Sequence, residues 1–213
     1  MANTGIFIAL EGLDGSGTTT QARLLKDWFS REGAAYGKCA ATFEPTQGPA
    51  GSITRLALNH RLTLDSRALA LLFAADRADH VHKEGDGRQE PGIACLLKQG
   101  VHVVCDRYLL SSLAYQSLDL PMEWVRQINA QAIPPDITVF IDIDPGVSDL
   151  RMAQERLQRD LFEEPSIQVR VLAQYEKAIS LLQGEGQRIC RVAGDQPEAK
   201  LHQDILREIL TLL

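Results

Sequence analysis

Short apolar runs recur along the chain at 5–10, 101–105, 137–143 and 189–192, with a weaker candidate at 38–43, and longer segments of helical period lie between them. Strand alternating with helix predicts an α/β fold with a parallel sheet. Such strands are covered on both faces, which explains why Val101 to Cys105 and Val139 to Ile143 are mostly apolar rather than alternating. Further helices are predicted at 49–59, 65–82, 121–131, 145–159, 165–183 and 197–212, the last with Pro197 in its first turn. The helix after the first strand carries Leu24, Leu25, Trp28 and Phe29 on one stripe, so Trp28 reads as core. The polar stretch from His82 to Gly92 holds three glycines and a proline and predicts a surface loop. In such a fold, ligands gather at the carboxyl ends of the strands.

At 213 residues, with 45% hydrophobic and 23% charged positions, the chain suits a single domain over 1–213 with a full core. Its net charge of −6 argues against nucleic acid as a partner, because phosphate contacts call for an excess of Lys and Arg. Cys39, Cys95, Cys105 and Cys190 lie far apart, in no metal-ligand or disulfide pattern, and suit reduced thiols in a cytoplasm. No apolar run approaches the ~18 residues of a membrane helix, and no basic segment precedes a secretory apolar core.

The first strand leads into Gly12, Leu13, Asp14, Gly15, Ser16, Gly17, Thr18 and Thr19, a Walker A spacing in which Thr18 stands at the lysine position. Glycines let successive N–H groups wrap a phosphate at a helix N-terminus, and Thr19 would offer a hydroxyl to Mg²⁺. The missing point charge leaves two readings open: another cation completes a phosphotransferase, or the chain binds nucleotide without catalysis. Asp106, at a strand end, is suited to hold Mg²⁺ directly or through water, and Arg107 beside it to a phosphate. Arg151, Arg156 and Arg159 span only ~140° of a helix and are the candidate replacement for the lysine. Phe73 and Arg77, four apart on a predicted helix, are either a base-gripping pair or, by periodicity, simply core.

Four segments together resemble thymidylate kinase: Phe7 to Gln21, Glu44-Pro45-Thr46, Leu71 to Arg77, and Asp106 to Gln116, the last being the most specific. The likeness runs nearly end to end. It implies a P-loop NTPase fold, a five-stranded parallel sheet flanked by helices, and transfer of the ATP γ-phosphoryl group to dTMP with Mg²⁺, in a homodimer, with a lid over about 148–165. By resemblance, Glu44 belongs to the dTMP site, Phe73 would stack on thymine and Arg77 would bond its O4. Ser112 and Gln116 match positions near N3, and Tyr115 one that crowds the ribose 2′ side. Arg55 and Arg107 would hold the acceptor phosphate, and Asp14 would approach the 3′-hydroxyl. Relatives without a loop arginine take catalytic cations from the lid, and Gly15 occupies that loop position here. Leu161 replaces one expected lid arginine, which leaves Arg151, Arg156, Arg159 and Arg107. Gly194 and Asp195 match adenine neighbours.

Overall fold

The computed structural model describes residues 4–85, 90–155, 162 and 165–213. Strands β1 (Phe7–Gly12), β2 (Cys39–Phe43), β3 (His102–Asp106), β4 (Ile137–Asp142) and β5 (Ile189–Ala193) form one parallel sheet in the order β2-β3-β1-β4-β5. The helices are α1 (Thr18–Ser30), α2 (Pro49–Leu58), α3 (Ser66–His82), α4 (Ile93–Lys98), α5 (Leu109–Gln116), α6 (Met122–Ile128), α7 (Pro145–Glu155), α8 (Pro165–Gly184) and α9 (Glu198–Ile209).

Every residue of β1 and β3 is buried, as is nearly all of β4, because helices cover both faces of the sheet centre. The edge strands β2 and β5 are half-exposed, which is why their runs are less apolar. The chain passes from β1 to β2 and β3 on one side, then crosses back over β1 to β4 on the other. A crevice therefore opens at the carboxyl ends of β1 and β3. Leu10 and Phe43 both align with Asp106, and the Glu44 N–H donates to the Asp106 carbonyl at 3.1 Å, so three strand ends meet there.

Several expectations shift. Leu25 and Phe29 enter the core, but Trp28 is only half-buried: it stacks on Tyr36 at 5.8 Å and covers Gly33. Pro197 precedes α9 as its N-cap rather than lying inside the first turn. The helix expected over 121–131 ends at Ile128, and α7 is described only to Glu155. The expected loop at 82–92 begins after His82, and 86–89 lie outside the described residues. Helix α5 was not expected. All eight of its residues are buried, so it has no polar face from which a helical period could be read.

Candidate functional site

The phosphate loop runs from Gly12, at the end of β1, to Gly17 at the N-cap of α1. Gly17 has φ 98°, a conformation that favours glycine, and no side chain among the described residues caps the helix, which leaves its first N–H groups for a ligand. A Cβ on Gly12 would lie 2.6 Å from Ser16 Oγ and 2.8 Å from the Ile141 carbonyl, so only glycine fits. Thr18 is 4% exposed and brings no charge to the loop.

Thr19 Oγ1 donates to Asp106 Oδ2 at 2.5 Å, while Asp106 Oδ1 is buried with no hydrogen-bond partner among the described residues. A hydroxyl beside an unsatisfied carboxylate oxygen, at the mouth of a phosphate loop, is the hard oxygen donor set that suits Mg²⁺. The residues present therefore fit the ion.

Beside the loop lies a cavity, partly open to solvent, whose walls include Asp14, Glu44, Phe73, Arg77, Arg107, Ser112, Tyr115 and Gln116. Eight of the expected acceptor-site residues are thus brought together. Phe73 faces this cavity half-buried and does not belong to the core cluster, which decides against the core-only reading. Arg77 is 2% exposed and anchored on every side. Its Nε donates to Glu44 Oε2 at 2.8 Å, Nη2 to the Tyr108 carbonyl at 3.1 Å and to Ser112 Oγ at 2.9 Å, and Nη1 to Asn129 Oδ1. Burial is the largest single influence and opposes its charge, but Glu44, Tyr108 and Glu11 together outweigh it and hold the guanidinium above its ordinary pKa.

Arg107 has φ 63°, a strained conformation for a residue with a side chain, and this turns its guanidinium back over the loop. There Nη1 donates to the Gly12 carbonyl at 2.8 Å and Nη2 to Asp14 Oδ1 at 2.6 Å, and the charge lies 5.5 Å from the Tyr115 ring centroid. Tyr115 in turn donates to Asp14 Oδ2 at 2.9 Å.

Sequence reasoning missed the buried partners that hold these groups. Glu11, fully buried, accepts from the Tyr108 N–H at 2.9 Å and from the Ser111 N–H at 3.1 Å, and also from the Ser111 hydroxyl. It thereby caps α5 with a carboxylate at the positive end of the helix dipole. Burial pushes the Glu11 carboxyl up from its usual value. Its signal was a lone charge inside an apolar strand. Tyr175 donates to the Gly12 carbonyl at 2.9 Å. Gln168 Nε2 donates to Asp14 Oδ2 at 2.8 Å and to the Phe162 carbonyl at 2.7 Å.

Other expected residues are not gathered into the cavity. Arg55 donates from Nη1 to the Pro45 carbonyl at 2.7 Å and to the Thr46 carbonyl, which ties it to the turn before α2. Arg151 donates to the Gly194 carbonyl at 2.9 Å, a residue that the resemblance sets near adenine. Arg156, Arg159 and Leu161 lie outside the described residues.

The family model for thymidylate kinase matches residues 10–205. A probable thymidylate kinase of Pyrococcus abyssi is 38% identical over 209 residues, covering 95% of this chain and 94% of its own. A probable thymidylate kinase of Pyrococcus horikoshii is 41% identical over 158 residues, covering 71% of each chain. A putative thymidylate kinase of Treponema pallidum is 38% identical over 170 residues, covering 80% of this chain and 77% of its own. Phosphate loop, strand-end carboxylate, walled cavity and relatives agree: the chain belongs to the thymidylate kinase family.

Proposed function

We propose that this chain transfers the γ-phosphoryl group of ATP to dTMP, giving dTDP and ADP. The observation that carries the reading is Gln116, which lines the cavity with its Oε1 buried and unpartnered among the described residues. A buried acceptor in that state calls for a donor from a ligand, and the N3–H of thymine is one. Phe73 supplies a stacking face and Arg77 a donor for O4, while Ser112 acts by orienting Arg77. Tyr115 fills the space beside the sugar, and Asp14, which it holds, would accept from the 3′-hydroxyl. Arg107 would grip the acceptor phosphate, and Arg55 would reach it on leaving the carbonyls it now bonds.

Phosphoryl transfer asks the protein mainly for alignment and charge neutralisation. The loop amides and Thr19 would cradle the donor phosphates, and Arg107 lies between loop and cavity, where donor and acceptor would meet. Mg²⁺ bound by Thr19 and Asp106 would neutralise charge on the ATP oxygens. Lid arginines Arg156 and Arg159, with Arg151, would supply the remaining positive charge in place of the lysine, as the lid excludes water. The single-domain protein would act in the cytoplasm. Exposed Ile53, Leu56 and Leu71, on the helices α2 and α3, offer an apolar surface for a homodimer.

The test is ADP release from ATP and Mg²⁺ with dTMP, with dUMP, dCMP and dGMP as comparisons, alongside calorimetric dTMP binding. Turnover with dTMP above the others supports the reading. Binding of dTMP with no turnover above the enzyme-free control overturns it in favour of a nucleotide-binding protein.

A further inference from the structure

Phe73, Arg77 and His80 stand at i, i+4 and i+7 of α3 and so share one helix face. Phe73 and Arg77 line the cavity; His80 lies behind them, 7% exposed. Glu44 sits between the two polar residues. Its Oε2 takes the Arg77 guanidinium at 2.6 Å, and its Oε1 accepts from His80 Nδ1 at 2.9 Å. The other ring nitrogen, Nε2, lies 2.7 Å from Thr42 Oγ1 on β2. Thr42, His80, Glu44 and Arg77 therefore form a chain of hydrogen bonds running from the sheet edge to the base-binding wall.

Cys105 Sγ lies within 4.8 Å of the Glu44 and His80 donor atoms, an O, N and S set of metal-ligating type. Arg77 already neutralises that carboxylate, and the thiol donates to the Arg107 carbonyl at 3.0 Å. The cluster is complete as a hydrogen-bonded network and calls for no cation.

We propose that His80 is a positioning residue for base recognition, which acts by clamping Glu44 and through it the plane of the Arg77 guanidinium. This rests on the dTMP reading above and deepens it. Arg77 has five N–H groups in a rigid fork. Its bonds to Glu44, Asn129, Tyr108 and Ser112 leave one Nη1 hydrogen with no acceptor among the described residues. The direction of that hydrogen follows the plane of the fork, and the plane follows Glu44. Without His80, Glu44 Oε1 is left buried without its donor, so the carboxylate turns to recruit the guanidinium and the fork leaves the base. The effect falls on binding of the acceptor and not on transfer, because His80 touches neither phosphate nor loop.

The experiment compares wild type, His80→Ala, His80→Asn and His80→Gln for dTMP KM, ATP KM, kcat and thermal midpoint. An Asn amide places its N–H₂ near the Nδ1 position and keeps the Glu44 bond, whereas Gln reaches toward Thr42 instead. His80→Ala is expected to raise dTMP KM about tenfold, with kcat and ATP KM within about twofold. His80→Asn recovers most of that loss and His80→Gln does not. An unchanged dTMP KM in His80→Ala overturns the proposal, as does an equal dTMP KM in the Asn and Gln variants. If the Ala variant fails to fold, the Asn and Gln pair decides alone. A wild type that neither binds nor turns over dTMP sinks the functional reading and this inference with it; an active wild type whose variants lack the pattern sinks this inference only.

Discussion

The two halves of the site are built on opposite principles. On the acceptor side, Arg77, Glu44, Ser112 and Asn129 are buried and bonded to one another. On the donor side, the loop offers amides and hydroxyls beside Asp106, and the arginines nearby already have partners: Arg107 in Asp14 of the loop itself, Arg151 in the Gly194 carbonyl. Under the proposed transfer to dTMP, the contrast follows from what each half would do. Recognising a base needs fixed directions, and a preformed site avoids ordering costs at binding. Neutralising charge on a moving phosphoryl group is useful only when both substrates are present, so cations that arrive with closure suit it and guard against hydrolysis. The absence of lysine at Thr18 takes this division further than a standard Walker A loop does.

Arg107 bridges the halves, and its removal should have the largest effect. Arg107→Ala is expected to lower kcat/KM for dTMP by about 10³ or more, the lower range for an arginine acting on transition-state charge. Coupled ADP release measures it. A loss under about tenfold would mean that Arg107 serves only to hold Asp14, and the bridge would dissolve.

Arg77 tests the rigid half. It pairs with Glu44 at side-chain exposures of 2% and 3%, so solvent screening is negligible. Arg77→Ala leaves a buried carboxylate without its cation and is expected to cost about 3–5 kcal/mol of stability, read from urea unfolding. Arg77→Lys restores charge but not the fork, so it should regain part of the stability while dTMP KM stays raised. If Ala and Lys unfold at the same urea concentration, the charge is not what stabilises the wall.

Thr18→Lys sharpens the other half by returning the missing point charge. If arginines from the lid already act on the phosphoryl group, kcat should rise by less than about tenfold. A rise near 10³ in a stopped-flow measurement would show that the donor side lacks an effective cation and that closure does not supply one.

What could be read from sequence divides along similar lines. The loop from Gly12 to Thr19 and the segment from Asp106 to Gln116 are contiguous, and their chemistry follows from residue order. Strand runs were legible because the sheet centre is covered on both faces. The clamps were not legible, since they join distant residues: Gln168 meets Asp14 across 154 positions and Glu11 meets Ser111 across 100. Periodicity cannot report a pairing of that range. Arg151 shows the same limit: its place on a charged helix suggested the phosphates, and residue order gave no sign of the bond it makes to the Gly194 carbonyl.

Glu11 lies where the halves join, one residue before the loop and bonded to the helix that lines the cavity, and it offers the smallest but most specific test. Burial raises its carboxyl above the ordinary 4.5, and this outweighs the Ser111 hydroxyl and the nearby Arg107 charge, which both lower it. The folded protein thus keeps a proton that the unfolded chain gives up, in a window opening at about pH 4.5 and closing at the raised folded value. Wherever the unfolded state binds fewer protons, stability falls as pH rises, so wild type should lose stability across that window. Glu11→Gln has no proton to lose. Its amide N–H₂ would face backbone donors, costing about 1 kcal/mol at the acid end, and the gap to wild type should narrow as pH climbs. Thermal melts of both proteins from about pH 4.5 to about pH 8 at fixed ionic strength give the comparison. Parallel curves would mean that Glu11 titrates alike folded and unfolded, and that the capped helix, rather than a buried charge, is all that joins the loop to the cavity.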